Sequence, residues 1–329
     1  MTAAESSRGR SVNRGDRGSV VPSWIRRSSA RPVSSSAAHG SVSLIVVTLP
    51  VSSPPQMRCV YLDLDGTLLG PGASLLRGAN GGFALDGVRA LQACWRSGVE
   101  VMLYSGRRQS SVFETARLIG ADAYSFEVGC GLVVDGELEW LTDGVVPSQS
   151  AGSIYEQIDR SGAPALLLEH YAGALEYHTP WSAGREVSHL FRGLIDLADT
   201  RALLERSGLG WLRLVDNGVV RAQAEQVPGL PVVHAYHLIP AAASKARSVT
   251  RHMQARGYTP GDCIAVGDSR EDMEVAPAVG TFWLVANALE RDSGLGEEAS
   301  SSPGVRLAAA GYGAGVYEAV VTTLAEGRG

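Results

Sequence analysis

From residue 57 onward, short unbroken apolar runs alternate with stretches whose apolar positions recur at helical spacing. Cys59-Val60-Tyr61-Leu62 contains no polar position, which is the pattern of a parallel strand buried on both faces. Val99 to Tyr104, Cys263 to Val266 and Thr281 to Ala286 carry the same signature. Leu85, Val88, Leu91 and Trp95 fall on one helical stripe that stops at Gly98, a residue suited to a left-handed helix end. Val112 to Leu118 reads as a second helix, and a third starts at Lys245 with Ala246, Val249 and Met253 turned inward. Strand and helix in alternation predict an α/β fold built on a doubly wound parallel sheet.

Between about 145 and 235 the texture changes. Helical patterns near Ile154–Arg160, Val187–Ile195 and Arg201–Arg206 interleave with strand-like runs at Ala165–Leu168, Trp211–Val215 and Val219–Ala222. Asp216-Asn217-Gly218 between the last two predicts a hairpin, because Asn-Gly supplies the positive φ angles of a tight turn. The expectation is an α+β domain of residues 145–235 inserted into a core made of 57–144 and 236–329. Residues 1–56 are rich in Ser, Arg, Gly and Pro and carry no period of either kind, so they read as a disordered tail, with Met57 as a candidate translation start.

Composition narrows the function. The chain of 329 residues is 45% hydrophobic and 19% charged, enough apolar material for a sizeable core. Its net charge is −5 and its basic residues form no stripe, which disfavours nucleic acid as a partner. The longest uncharged apolar run, Val42 to Val51, is too short to span a bilayer. Four scattered cysteines with no Cys-x-x-Cys pair suit a reducing, cytoplasmic compartment. The basic residues are arginine in every case but one, Lys245. A lysine kept in such a chain points to a task that guanidinium does poorly.

The chemistry gathers at strand ends. Asp63-Leu64-Asp65-Gly66-Thr67 directly follows the first apolar run, and ligands of open α/β sheets bind at the carboxyl ends of strands. Carboxylates at i and i+2 leave a strand in the same direction, and a cation such as magnesium would offset their repulsion. Gly66 permits a tight turn with exposed N–H groups. Ser105-Gly106 follows the second run, and Gly267-Asp268-Ser269-Arg270-Glu271-Asp272 follows a third. Lys245 at a helix start adds a point charge to the helix dipole, a phosphate site built from two electrostatic terms.

The order Asp63-x-Asp65-Gly66-Thr67, Ser105, Lys245, then Gly267-Asp268 with Asp272 resembles the four motifs of the haloacid dehalogenase-like superfamily, over roughly residues 57–329. The insert between the Ser and Lys motifs is similar to a type-2 cap. Ser105-Gly106-Arg107 resembles the C2B subgroup, with Cof-type phosphatases, sucrose-phosphatase, mannosyl-3-phosphoglycerate phosphatase and phosphomannomutase. Tyr236-His237-Leu238-Ile239-Pro240 and Val285-Ala286-Asn287-Ala288 look most similar to the mannosylphosphoglycerate type. Val128-Gly129 departs from the Asn-Gly often found in the family. The resemblance implies a magnesium-dependent phosphatase acting on a small phosphorylated sugar or sugar-acid, with a phosphomutase or a non-catalytic binding module as alternatives.

It also implies roles. Asp63 would be the nucleophile and Asp65 the general acid–base. Asp63, Asp65 (through its backbone carbonyl) and Asp268 would hold magnesium. Ser105, Gly106 and Lys245 would bind the phosphoryl group, supported by Gly66, Thr67, Ser269 and Asp272. Substrate contacts would come from the cap, with Glu169, His178, Arg185 and Arg192 as candidates beside His170, Tyr171 and Trp181.

Overall fold

The structure, a computed structural model, describes residues 57–220 and 227–327. The expectations for residues 1–56, and the end of the strand expected at Val219–Ala222, lie outside the described residues.

The larger sheet has eight strands. β1 (Cys59–Leu62), β2 (Glu100–Tyr104), β3 (Ala123–Phe126), β4 (Gly131–Val134) and β5 (Glu137–Trp140) come from the first part of the chain. β10 (Cys263–Gly267), β11 (Thr281–Leu284) and β12 (Val305–Leu307) come from the last. Their order is β12-β11-β10-β1-β2-β3-β4-β5. From β12 to β3 the strands are parallel, as the unbroken apolar runs require. β4 and β5 are antiparallel additions that the sequence reading did not anticipate. Two turns with positive φ make them possible: Glu127-Val128-Gly129 (+47°, +62°, +82°) and Asp135-Gly136 (+52°, +88°).

Strand alternation sorts the core into two layers. Val60 and Leu62 join Leu103, Ile264 and Val266 on one face. Cys59 and Tyr61 join Met102, Tyr104 and Ala265 on the other. The first face is covered by α1 (Asp86–Ser97), α2 (Gln109–Ile119) and α10 (Tyr312–Glu326). Over the second lie α6 (Lys245–Arg256), α7 (Arg270–Met273), α8 (Asn287–Arg291) and α9 (Leu295–Ser301). α1 ends at Gly98 in the left-handed conformation, as expected. Its inward face is Gly87, Ala90, Leu91 and Cys94, whereas Val88 and Trp95 point outward, Trp95 being 70% exposed. The small residues Gly87, Ala90 and Cys94 at i, i+3 and i+7 let the helix lie close to α10, and bulk alone was a poor guide to the buried stripe.

The second sheet is antiparallel, with order β6-β7-β9-β8. It comprises β6 (Leu175–Tyr177), β7 (His189–Gly193), β8 (Leu212–Val219) and β9 (His234–Pro240). With it go α3 (Ile154–Arg160), α4 (Ala163–His170) and α5 (Leu197–Arg206), around a core that includes Ile158, Leu167, Phe191, Leu204 and Leu238. β9 crosses residue 236, and all of it pairs within this sheet.

Three expectations for this region are corrected. Ala165–Leu168 is part of α4: four consecutive apolar residues fit a buried helix as well as a strand, and Pro164 at the first turn starts a helix here. Val187–Ile195 contains β7, in which Leu190 and Arg192 alternate with His189, Phe191 and Gly193. Asp216-Asn217-Gly218 is no hairpin. β8 runs through it with a register shift between Asp216 and Val219, a bulge in which Gly218 takes φ +91° and the Asp216 carboxylate accepts its N–H at 2.8 Å.

Candidate active site

Asp63 leaves the carboxyl end of β1 in the middle of the larger sheet, where β1 separates the connections to β2 and β10. Gly66 turns the chain back at φ +96°, and a Cβ there would stand 2.1 Å from Asp268 Oδ2. Only glycine fits. Thr67 Oγ1 donates to Asp268 Oδ1 at 3.2 Å, which fixes the carboxylate that follows β10. Ser269 caps α7 and Asp272 completes the capping box, its Oδ2 accepting the N–H groups of Asp268 and Ser269.

Lys245 opens α6, whose N-cap is Ser244, and is 2% exposed. Its Nζ donates to Asp63 Oδ1 at 3.1 Å and to Asp272 Oδ1 at 2.6 Å, and lies 2.7 Å from Glu271 Oε2. Burial alone would push the ammonium's pKa down, but Asp272, Asp63 and Glu271 outweigh it and hold the pKa well above the ordinary lysine value. The carboxylates move the other way. Burial lifts Asp63 well above the usual range, with Asp272 and Asp268 adding repulsion against the pull of Lys245. Burial also lifts Asp268 to about 6, although Arg291 opposes it, and Glu271 to about 7. Four buried carboxylates thus face one ammonium and one guanidinium, since Arg291 Nη1 pairs with Asp268.

That imbalance is the test of whether a metal fits. Asp63, Asp268 and Asp272 each offer a carboxylate oxygen, all within 4.8 Å of one another. Asp272 is already saturated by Lys245, Ser269 and two backbone N–H groups, which leaves Asp63 and Asp268 as the donors with capacity to spare. Hard oxygen donors in this number suit magnesium, which binds through one or two carboxylates and keeps room for water and phosphate oxygens.

Ser105 ends β2 and is 2% exposed. It caps no helix: α2 starts four residues later, with Arg108 as its N-cap and no side-chain cap. Its Oγ accepts the N–H of Arg107, and its carbonyl accepts the N–H of Val128. The Arg107 guanidinium grips Asp65 with two hydrogen bonds, the Nη2–Oδ1 one 2.6 Å long. Asp65 is thereby turned away from the buried carboxylates and is half exposed.

No protein-family profile matches the chain. Over 265 residues it is 24% identical to a phosphoglycolate phosphatase of Methanospirillum hungatei, covering 80% of this chain and 94% of that protein. A phosphoglycolate phosphatase of Methanococcoides burtonii is 23% identical over 273 residues, covering 82% and 98%. Among solved structures, sucrose-phosphatase from Synechocystis superposes with a TM-score of 0.57 at 14% identity, covering 82% of this chain and 98% of that one. A phosphatase of the haloalkanoate (HAD) superfamily from Bacteroides thetaiotaomicron gives 0.54 at 17% identity, covering 84% and 98%. These likenesses show a fold shared with solved HAD-superfamily hydrolases.

In the structure the residues expected from sequence divide into two groups. Asp63, Gly66, Thr67, Lys245, Asp268, Ser269 and Asp272 meet directly, while Asp65 reaches only Arg107. Among the candidates from residues 145–235, Arg185 reaches the Ser105-Gly106 loop, with Nη1 donating to the Gly106 carbonyl at 3.1 Å. His178 is buried close enough to His237 to act on its charge. Arg192 pairs instead with Glu176 across the β6–β7 ladder, and His170 and Tyr171 bond Asp199. Glu169 is exposed on α4 and Trp181 is 57% exposed.

The structure also brings in residues that were not among the site candidates. Glu127 is fully buried after β3 and binds the residues that lead into β7. His237 and Asn217 crowd Gly106. Asn287 donates to the Gly66 carbonyl at 2.8 Å and accepts the Tyr312 N–H at 2.7 Å. Of these, Glu127 had a signal in the text: a lone charge inside the otherwise apolar stretch from Tyr124 to Val134.

Proposed function

We propose that this protein is a magnesium-dependent phosphatase of small phosphorylated sugars or sugar-acids, working through an aspartyl-phosphate. The observation that carries the reading is the lone lysine touching Asp63, Asp272 and Glu271 while Asp268 stands beside them with excess negative charge. The activity of the relatives named phosphoglycolate phosphatase supports the reaction class.

Asp63 has an oxygen bonded to Lys245, which holds the carboxylate in one orientation. The other oxygen attacks phosphorus as the bond to the leaving alkoxide breaks, and Asp65 gives that alkoxide its proton. In the second half Asp65 takes a proton from water, water oxygen bonds to phosphorus, and the Asp63–phosphorus bond breaks to release phosphate. Ser105 and Lys245 hold the transferring oxygens, and Arg107 sets the direction of Asp65 before substrate arrives. Magnesium held by Asp63 and Asp268 would neutralise charge on the phosphoryl group. The four-stranded sheet and its helices act as a cap that excludes water.

The test is phosphate release from a panel of phosphorylated metabolites by the wild type and by Asp63→Asn. The variant keeps the fold by circular dichroism and loses turnover, and EDTA silences the wild type until magnesium is restored. Hydrolysis by Asp63→Asn at the wild-type rate removes the nucleophile. Release of phosphate without any added sugar bisphosphate separates hydrolysis from a mutase.

A further inference from the structure

The cap delivers a hydrogen-bond chain to the phosphate loop, and its polarity can be read. The Glu127 carboxylate accepts hydrogen bonds from residues 186–188: the N–H groups of Glu186 (2.8 Å), Val187 (3.2 Å) and Ser188 (2.6 Å), and the Ser188 hydroxyl (2.8 Å), with Arg185 Nη1 standing 3.8 Å from Oε2. Ser188 has one hydroxyl proton, and Glu127 receives it. Its lone pairs therefore accept from Arg185 Nη1 at 3.0 Å and from His237 Nδ1 at 3.1 Å. Nδ1 carries the ring proton and Nε2 keeps a lone pair. Burial first, then the positive charges of Arg185 and Lys245, hold His237 well below the ordinary histidine pKa, so the ring stays neutral.

The other end of this chain abuts Gly106, with His237 1% exposed. His237 Nε2 lies 3.1 Å from where a Cβ on Gly106 would stand, and both polar atoms of the Asn217 amide lie 3.2 Å from it. The bulge in β8 puts Asn217 there. We infer that the Nε2 lone pair of His237 reads a hydroxyl donor on the leaving-group side of the substrate, selecting phosphorylated polyols or sugars over phosphorylated carboxylic acids. The nearby guanidinium groups agree with this, because each is committed. Arg107 is forked on Asp65, Arg185 bonds Gly106 and Ser188, and Arg108 bonds Ser111 and the Ala183 carbonyl. Among the described residues, a carboxylate there would meet an acceptor and no unshared guanidinium.

The inference rests on the phosphatase reading and deepens it. Its test compares kcat/KM for glycerol 1-phosphate, n-propyl phosphate and 2-phosphoglycolate. The first two differ only in hydroxyl groups. The wild type prefers glycerol phosphate to propyl phosphate by about tenfold or more, the scale set by one hydrogen bond and the partner left unpaired without it. That ratio collapses toward one in His237→Leu and recovers in part in His237→Gln, whose amide oxygen restores an acceptor. A wild-type ratio near one, a preference for 2-phosphoglycolate, or an unchanged ratio in the folded variants overturns the inference and leaves the phosphatase standing. If His237→Leu does not fold, the wild-type ratio and His237→Gln still decide. No phosphate release from any of the three or from the wider panel removes the phosphatase reading itself.

Discussion

Lys245 is held by three carboxylates and by the face of Tyr104, 5.2 Å from its Nζ. A compact ammonium donates to several oxygens from one point, whereas a guanidinium spreads its donors over a plane and needs more room. The chain places arginine at every other basic position, so the exception follows from the geometry of this slot. Removing the charge strands buried carboxylates without a counter-ion. Lys245→Met is expected to lose roughly 3–5 kcal/mol of stability, the cost of breaking a buried pair from one side. Lys245→Arg keeps the charge but not the shape, and is expected to leave turnover far below wild type. Urea unfolding and phosphate release check the two. Wild-type turnover in Lys245→Arg would mean that charge alone is what the site needs.

At the scale of elements, the opposite edge of the larger sheet carries its own electrostatic device. Glu100 begins β2 and accepts from Arg256 Nε at 2.9 Å and Tyr258 Oη at 2.8 Å, with His252 Nε2 3.5 Å away. Burial would raise its pKa, but these partners bring it from the ordinary 4.5 to about 2. A folded pKa below the unfolded one stabilises the fold above pH 4.5, and that stability drains away as pH falls toward 2. The contribution is on the order of 3 kcal/mol at neutral pH. Glu100→Gln is expected to be less stable than wild type at pH 7 by that order, with the gap closing as urea unfolding is repeated at lower pH. A gap independent of pH would assign the loss to packing instead. β1, β2 and β10 were legible because a strand buried on both faces reads as a nearly unbroken apolar run, with Glu100 at the start of β2 the one charge among them. The cap was not: α4 and β7 are short, and over so few residues one apolar run satisfies both periods. The site divides for the same reason. Asp63, Ser105, Lys245 and Asp268 each border a legible element. Arg107, Glu127, Asn217, His237 and Arg291 meet through tertiary paths, and Asn217 depends on a bulge that looks like a hairpin in the text.

For the molecule as a whole, the question is what couples the two sheets. Glu127 sits on the strained loop that turns β3 into β4, and Val128 N–H in that loop bonds the Ser105 carbonyl. A Cβ on Gly129 would stand 2.1 Å from the Ser244 carbonyl oxygen, so the loop also touches the start of the helix that carries Lys245. From the same loop the Glu127 carboxylate grips residues 186–188, which lead directly into β7 of the second sheet. One carboxylate therefore ties the Ser105 and Lys245 segments to the stretch that carries Ser188 and, through it, His237. Glu127→Gln preserves volume but turns an oxygen that accepts several donors into an amide nitrogen that repels them. The expected loss is about 1–3 kcal/mol, the cost of donors left unpaired in a buried place. If the carboxylate is the coupling, the loss is local. Amide exchange accelerates at residues 186–188 and in β7, β1 and β10 keep their protection, and turnover falls more than global stability does. Uniform acceleration across both sheets would make Glu127 an ordinary core contact, and the second sheet would then need another tether to hold His237 over Gly106.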